Sequence, residues 1–148
     1  MLNLKKYSKY KTPVLMAGAL FLLYKLSNST QSNKDTSELI NEESEAAEAE
    51  GITLSYPLSN YNIWADSLQA AMFDAGTDES VIYNVFNKLK NPRDLLQLIK
   101  AFGVRPYYTF GWKQGNYNLG QWFTEELSTS EFDKINAILK SKNINIQF

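Results

Sequence analysis

The residues of this chain able to do chemistry are few in kind. Cysteine and histidine are absent from all 148 positions. That removes thiolate and imidazole nucleophiles, Ser-His relays, disulfides and every zinc or iron–sulfur site built on those ligands. What remains is oxygen from carboxylates, hydroxyls and backbone carbonyls, with lysine and the aromatic rings beside it. Three groupings stand out. Glu125 and Glu126 form an acidic pair of the kind a helical glycoside hydrolase uses as acid and base. Adjacent helical residues point to different faces, however, and no second carboxylate is fixed opposite them. Gly76-Thr-Asp-Glu79 sets two acids directly behind a glycine and a hydroxyl. Residues 107–122 gather Tyr107, Tyr108, Phe110, Trp112, Tyr117 and Trp122. Such rings can stack on bases or sugars, but residues 51–148 carry nine basic and nine acidic side chains and lack the positive stripe that nucleic acid requires. The expectation is a chain that is not an enzyme, binds no nucleic acid and needs no cofactor, with the six aromatics as contacts for a protein partner.

The elements that must position these groups follow from how charge is distributed. Residues 1–25 hold five lysines and no acid, and residues 26–50 hold seven acids against one lysine. The first block sets a basic segment ahead of the apolar run at residues 13–24, which reads as a membrane-targeting sequence. With Lys11 and Lys25 snorkelling and Tyr10 and Tyr24 at the headgroups, residues 10–26 are just long enough to cross a thin bilayer. The expectation is a single-pass anchor over residues 1–26 with its N-terminus cytoplasmic and the remainder on the opposite side. A cleaved signal, leaving a secreted or periplasmic protein, is the alternative. Residues 27–51 have no aromatic residue and too little apolar surface to offset the entropy of ordering, so they read as a flexible acidic linker. A transient helix is the competing state.

Residues 52–148 contain the periodicity of a compact all-α domain, a bundle of about five short helices. Ser59 or Asn60 caps a first helix carrying Ile63, Trp64, Leu68, Ala71, Met72 and Ala75, which stops at Gly76. Thr77 caps a second, with Asp78 and Glu79 at the positive end of its dipole. Asn91, Pro92 and Asp94 open a third that ends at Gly103. Asn118 with Gln121, and Ser128 with Glu131, are capping boxes for two more. Residues 103–117 break the rhythm and read as a loop with aromatic anchors. Residues 52–56 alternate like a short strand, for which pairing with the tail at 144–148 is one option and an unpaired stretch the other.

At Met72-Phe-Asp-Ala-Gly-Thr-Asp-Glu79 the chain resembles the annexin repeat signature, in which such a segment joins the first two helices. Ala65-Asp-Ser-Leu-Gln-Ala-Ala-Met72 is similar to the first annexin helix and residues 80–89 to the second. Residues 91–103, with Ala101-Phe-Gly103, are similar to the third. Glu125-Glu-Leu-Ser128 followed by Phe132-Asp-Lys-Ile135 is similar to the passage into the last, so the likeness spans residues 61–142. What the resemblance implies is a calcium ion held by loop carbonyls of Met72, Asp74 and Gly76 and by the carboxylate of Glu126, bridging to phospholipid. Calcium accepts such a mixed oxygen set. The chain departs from the family in carrying Asp74 in place of the first signature glycine, one repeat instead of four, and an aromatic-rich insertion after Gly103. The same residues also have an ion-free account, with Gly76 as terminator, Thr77 as cap and Asp78 and Glu79 as dipole partners.

The leading expectation is therefore a membrane-anchored interaction or structural protein that presents a small helical module to a protein partner. Calcium-dependent phospholipid binding is the alternative. A third is a minor structural protein in a multi-copy assembly, such as a membrane-bearing bacterial virion.

Overall fold

The structure is a computed structural model describing residues 33–73, 76–144 and 148. The anchor expected over residues 1–26 and Asp74 of the expected calcium loop lie outside the described residues. Among those described, no helix is long and apolar enough to cross a membrane. They form six helices and one two-stranded antiparallel ribbon, so the described part is mostly helical with a single β element.

Helix α1 (Asn33–Ala49) lies in the segment read above as a flexible linker. The seven-residue spacing of Ile40 and Ala47 sets two apolar side chains on one stripe, and both are buried. That stripe packs against α4 (Pro92–Phe102). Lys100 Nζ donates to Asn41 Oδ1 at 2.9 Å, and Arg93 pairs with Glu48 at 2.8 Å. Partial burial, reinforced by the Glu42 charge, pushes the Glu43 carboxyl up. A strongly acidic composition conceals one apolar stripe, which is all a docked helix needs.

Helix α2 (Leu58–Ala71) begins behind Pro57 with no side-chain cap, so Ser59 and Asn60 fall inside it. It ends at Met72, short of the Gly76 stop expected. Helix α3 (Glu79–Lys88) is capped by Asp78, which accepts from the Ser80 and Val81 N–H groups, and not by Thr77. Those bonds hold the Asp78 carboxyl below the usual carboxylate range, the Ser80 hydroxyl contributing most. Helix α4 opens on the Asn91 cap with Pro92 at its first position and stops at Gly103. Its stripe of Leu95, Leu96, Leu98, Ile99 and Phe102 is buried against α2 and α1.

Residues 52–56 form no strand. They are laid along the start of α4 by Asp94, which is fully buried and accepts from Ser55 N–H at 2.9 Å, Lys90 N–H at 2.8 Å and Tyr61 Oη–H at 2.6 Å. Tyr61 stands edge-on to Tyr56 and Trp64, and its phenol pKa is pushed up by burial and by the Asp94 acceptor.

After α4 the chain forms β1 (Val104–Thr109) and β2 (Trp112–Asn118), in place of the anchored loop expected. Helices α5 (Leu119–Glu126) and α6 (Thr129–Ser141) follow on the Asn118/Gln121 and Ser128/Glu131 boxes. Helix α6 packs on α3. The chain then reverses at Asn143 (φ 57°) and buries Ile144. Phe148 lies against Phe86 and Phe123, its backbone N–H and carbonyl both held by the Asn136 amide at 2.8 and 3.0 Å.

Replacing Asp94 leaves the buried Tyr61 hydroxyl and two partly buried backbone N–H groups unpaired, and hydrogen bonds to a charged acceptor are among the costliest to lose. Asp94→Ala is expected to lower the free energy of unfolding by about 3 kcal/mol in urea titration. A loss below about 1 kcal/mol would show that Asp94 does not hold this junction.

Candidate functional site

Strand content is high in Val104, Tyr107, Tyr108, Thr109, Trp112 and Tyr117, which suits a pleated ribbon. The register pairs Val104 with Asn118 and Thr109 with Trp112, with a bulge at Tyr107/Tyr108. Two residues close the ribbon, Phe110 at φ 51° and Gly111 at φ 79°. Positive φ at both central positions is the pattern of a type I′ turn, whose twist matches that of the strands. Glycine takes that conformation without cost, whereas a phenylalanine does not. Phe110 nevertheless holds it while 90% exposed, beside Trp112 at 77%.

The base of the ribbon is pinned on three sides. Arg105 donates from Nη1 to Gln69 Oε1 at 2.6 Å and Asp66 Oδ1 at 2.8 Å on α2, and from Nε to the Phe102 carbonyl at 2.9 Å. Its guanidinium lies 4.8 Å over the Phe102 ring. The Asp66 partner is largely exposed, so the ion pair adds little, and the buried carbonyl and ring contacts do more. On a second side, Glu126 accepts from Tyr107 Oη–H at 2.6 Å and from Thr77 Oγ1–H at 2.9 Å, joining β1, α5 and the loop after α2. On the third, the Tyr107 ring stacks on Tyr117 at 5.0 Å and meets Trp122 edge-on at 4.9 Å. Gly115 makes room for that stack, since a Cβ there would sit 2.7 Å from the Tyr117 ring.

The structure thus divides the six aromatics. Tyr107 and Trp122 are core residues, 6% and 0% exposed, because the ribbon folds its inner face onto α5, and Tyr117 is half-buried on the other side of the Tyr107 ring. This corrects the expectation that all six form a contact surface. Tyr108, Phe110 and Trp112 face solvent. They are joined by Phe73, 50% exposed, whose ring stands 6.2 Å from that of Tyr108. Phe73 was not legible as a contact residue, since it follows the last turn of α2 and its neighbour on β1 is far off in sequence.

Of the residues implied for calcium, Met72 is buried at the end of α2 and Gly76 is exposed at φ 103°. Glu126 does reach the loop, through the Thr77 hydroxyl, and both its oxygens accept hydrogen bonds. Glu125 is exposed while Glu126 is partly buried, so the acidic pair is not one site. Among the described residues no three ligating side chains converge.

Comparison of the chain with protein-family models, curated proteins and solved structures finds no match.

Asparagine tolerates left-handed backbone far better than phenylalanine. Phe110→Asn is therefore expected to raise stability by about 0.5–1 kcal/mol in chemical denaturation, and a clear loss would mean that the ring is held by contacts. Burial, and then donation to Glu126, push the Tyr107 phenol up to about 12 from 10.0. A raised tyrosine pKa means that its contribution is complete below pH 10.0 and is lost as pH climbs to about 12. Alkaline unfolding curves of the wild type and Tyr107→Phe should converge across that interval. Curves that stay parallel would contradict the assignment.

Proposed function

We propose that this chain is a non-enzymatic docking module, in which a helical body holds an aromatic hairpin tip against a partner surface. One observation carries the reading: Phe110 occupies the left-handed turn at φ 51°, 90% exposed, where asparagine or glycine would be favoured. Strain of this kind persists where the surroundings over-determine it, and it gathers at binding elements. The pinned base supports the same reading, because a contact element fixed in its bound shape loses little entropy on docking. The basic and apolar block at residues 1–25 supports a membrane location for the module. A photoreactive phenylalanine analogue at position 110 in the native cell should yield a discrete cross-linked adduct that the same probe at exposed Asn84 does not. Equal labelling from both positions would reject the tip as the contact.

A second reading is calcium-dependent lipid binding at the loop before α3, favoured by the approach of Glu126 to Thr77. In that reading Glu126 exchanges a hydroxyl donor for the ion. Calorimetry of the full chain should then show saturable calcium binding that Glu126→Gln removes. No heat at millimolar calcium would leave Glu126 as a tie between segments.

A further inference from the structure

Resting on the docking reading above, we propose that the surface met by the hairpin tip is a lipid bilayer, with Phe110 and Trp112 entering its interfacial layer independently of calcium. The tip is convex. Phe110 stands at the apex of a two-residue turn with Trp112 beside it, and Tyr108 and Phe73 follow on one flank. A projecting apolar point of this kind needs a matching pocket in a protein, but only depth in a lipid layer. Its residue types are those of the membrane interface, where tryptophan and tyrosine settle at the headgroups and phenylalanine reaches further in.

Charge around the tip agrees. The ribbon and its turn, residues 104–118, carry no acid, and their two cations are Arg105, paired with Asp66 at the base, and Lys113. Lys113 is exposed next to Trp112, suitably placed for a phosphate as the rings enter.

Chain length makes the contact reachable. Because α1 starts at Asn33, the segment between Leu26 and the folded domain is six residues, not the long spacer that the composition suggests. Fully extended it spans about 20 Å. If residues 10–26 cross the bilayer as the sequence predicts, the domain stays at the membrane surface. There a weak tip contact is sufficient, since tethering makes the encounter intramolecular. The contact then sets the orientation of the module and is not needed to recruit it.

Tryptophan reports the tip with little background. Of the three tryptophans, Trp64 and Trp122 are buried and Trp112 is exposed. The full chain is reconstituted into vesicles of equal parts phosphatidylcholine and phosphatidylglycerol, with plain or brominated acyl chains, in EDTA. Bromine should quench a component of the emission that is absent in Trp112→Thr, and that component should resist aqueous iodide. Phe110→Asn, which keeps the turn, should reduce the quenching by about twofold or more. A Trp112 that remains open to iodide and is untouched by bromolipid overturns the lipid assignment, as does quenching that requires calcium. In either case a protein adduct from position 110 still upholds docking, whereas the absence of any adduct removes the docking reading itself.

Discussion

The Glu126 carboxylate accepts one hydrogen bond from Tyr107 on the ribbon and one from Thr77 in the loop before α3. Through it, three stretches of chain distant in sequence become one junction. The need for that junction is physical. A two-stranded ribbon is marginal alone in water and must borrow stability from a body it packs against. Here the body supplies a carboxylate on α5, an arginine clasp across α2 and α4, and an indole floor at Trp122. The Trp122 N–H is buried with no hydrogen-bond partner among the described residues, so the floor is held by its apolar area and its ring contacts with Phe102 and Tyr107. With its base fixed on three sides, the ribbon can hold Phe110 in a conformation that the residue alone disfavours.

A second junction does the same for the other end of the molecule. Asp94 draws residues 52–56, α2 and the start of α4 together through three donors. Arg93 next to it ties the Ile52 carbonyl and Glu48 of α1 to the same place. The acidic segment therefore joins the body as a helix and ceases to be a spacer. Composition averaged over residues 26–50 hides this, because docking depends on the placement of Ile40 and Ala47 and not on the number of glutamates.

What could be read from the sequence, and what could not, follows the range of the interactions. Asn91 with Pro92, Asn118 with Gln121 and Ser128 with Glu131 act within one helical turn, and each helix start they imply is present. Thr77 and Asp78 were both competent caps. Asp78 takes the cap, while the Thr77 hydroxyl donates to Glu126, 49 residues away. The ribbon is not legible in the sequence because its turn is Phe-Gly where Asn-Gly is the usual signal, and because Pro106 and the glycines suggest an irregular loop. The division of the aromatics was equally invisible. Tyr107 and Tyr108 are neighbours of one type, and only the alternation of a strand sends the first into the core and the second to solvent.

The functional account reduces to a claim about order: the ribbon is preorganised by its base and carries its exposed rings in one shape before any partner arrives. Backbone amide relaxation by NMR tests that claim most directly. The account predicts order parameters through 104–109 and 112–118 near the rigid-backbone level of about 0.85, equal to those of α4, with the Phe110 amide only slightly lower. Values below about 0.6 across the ribbon, with α4 still rigid, would contradict it, because the tip would then be a flexible loop with no shape to present.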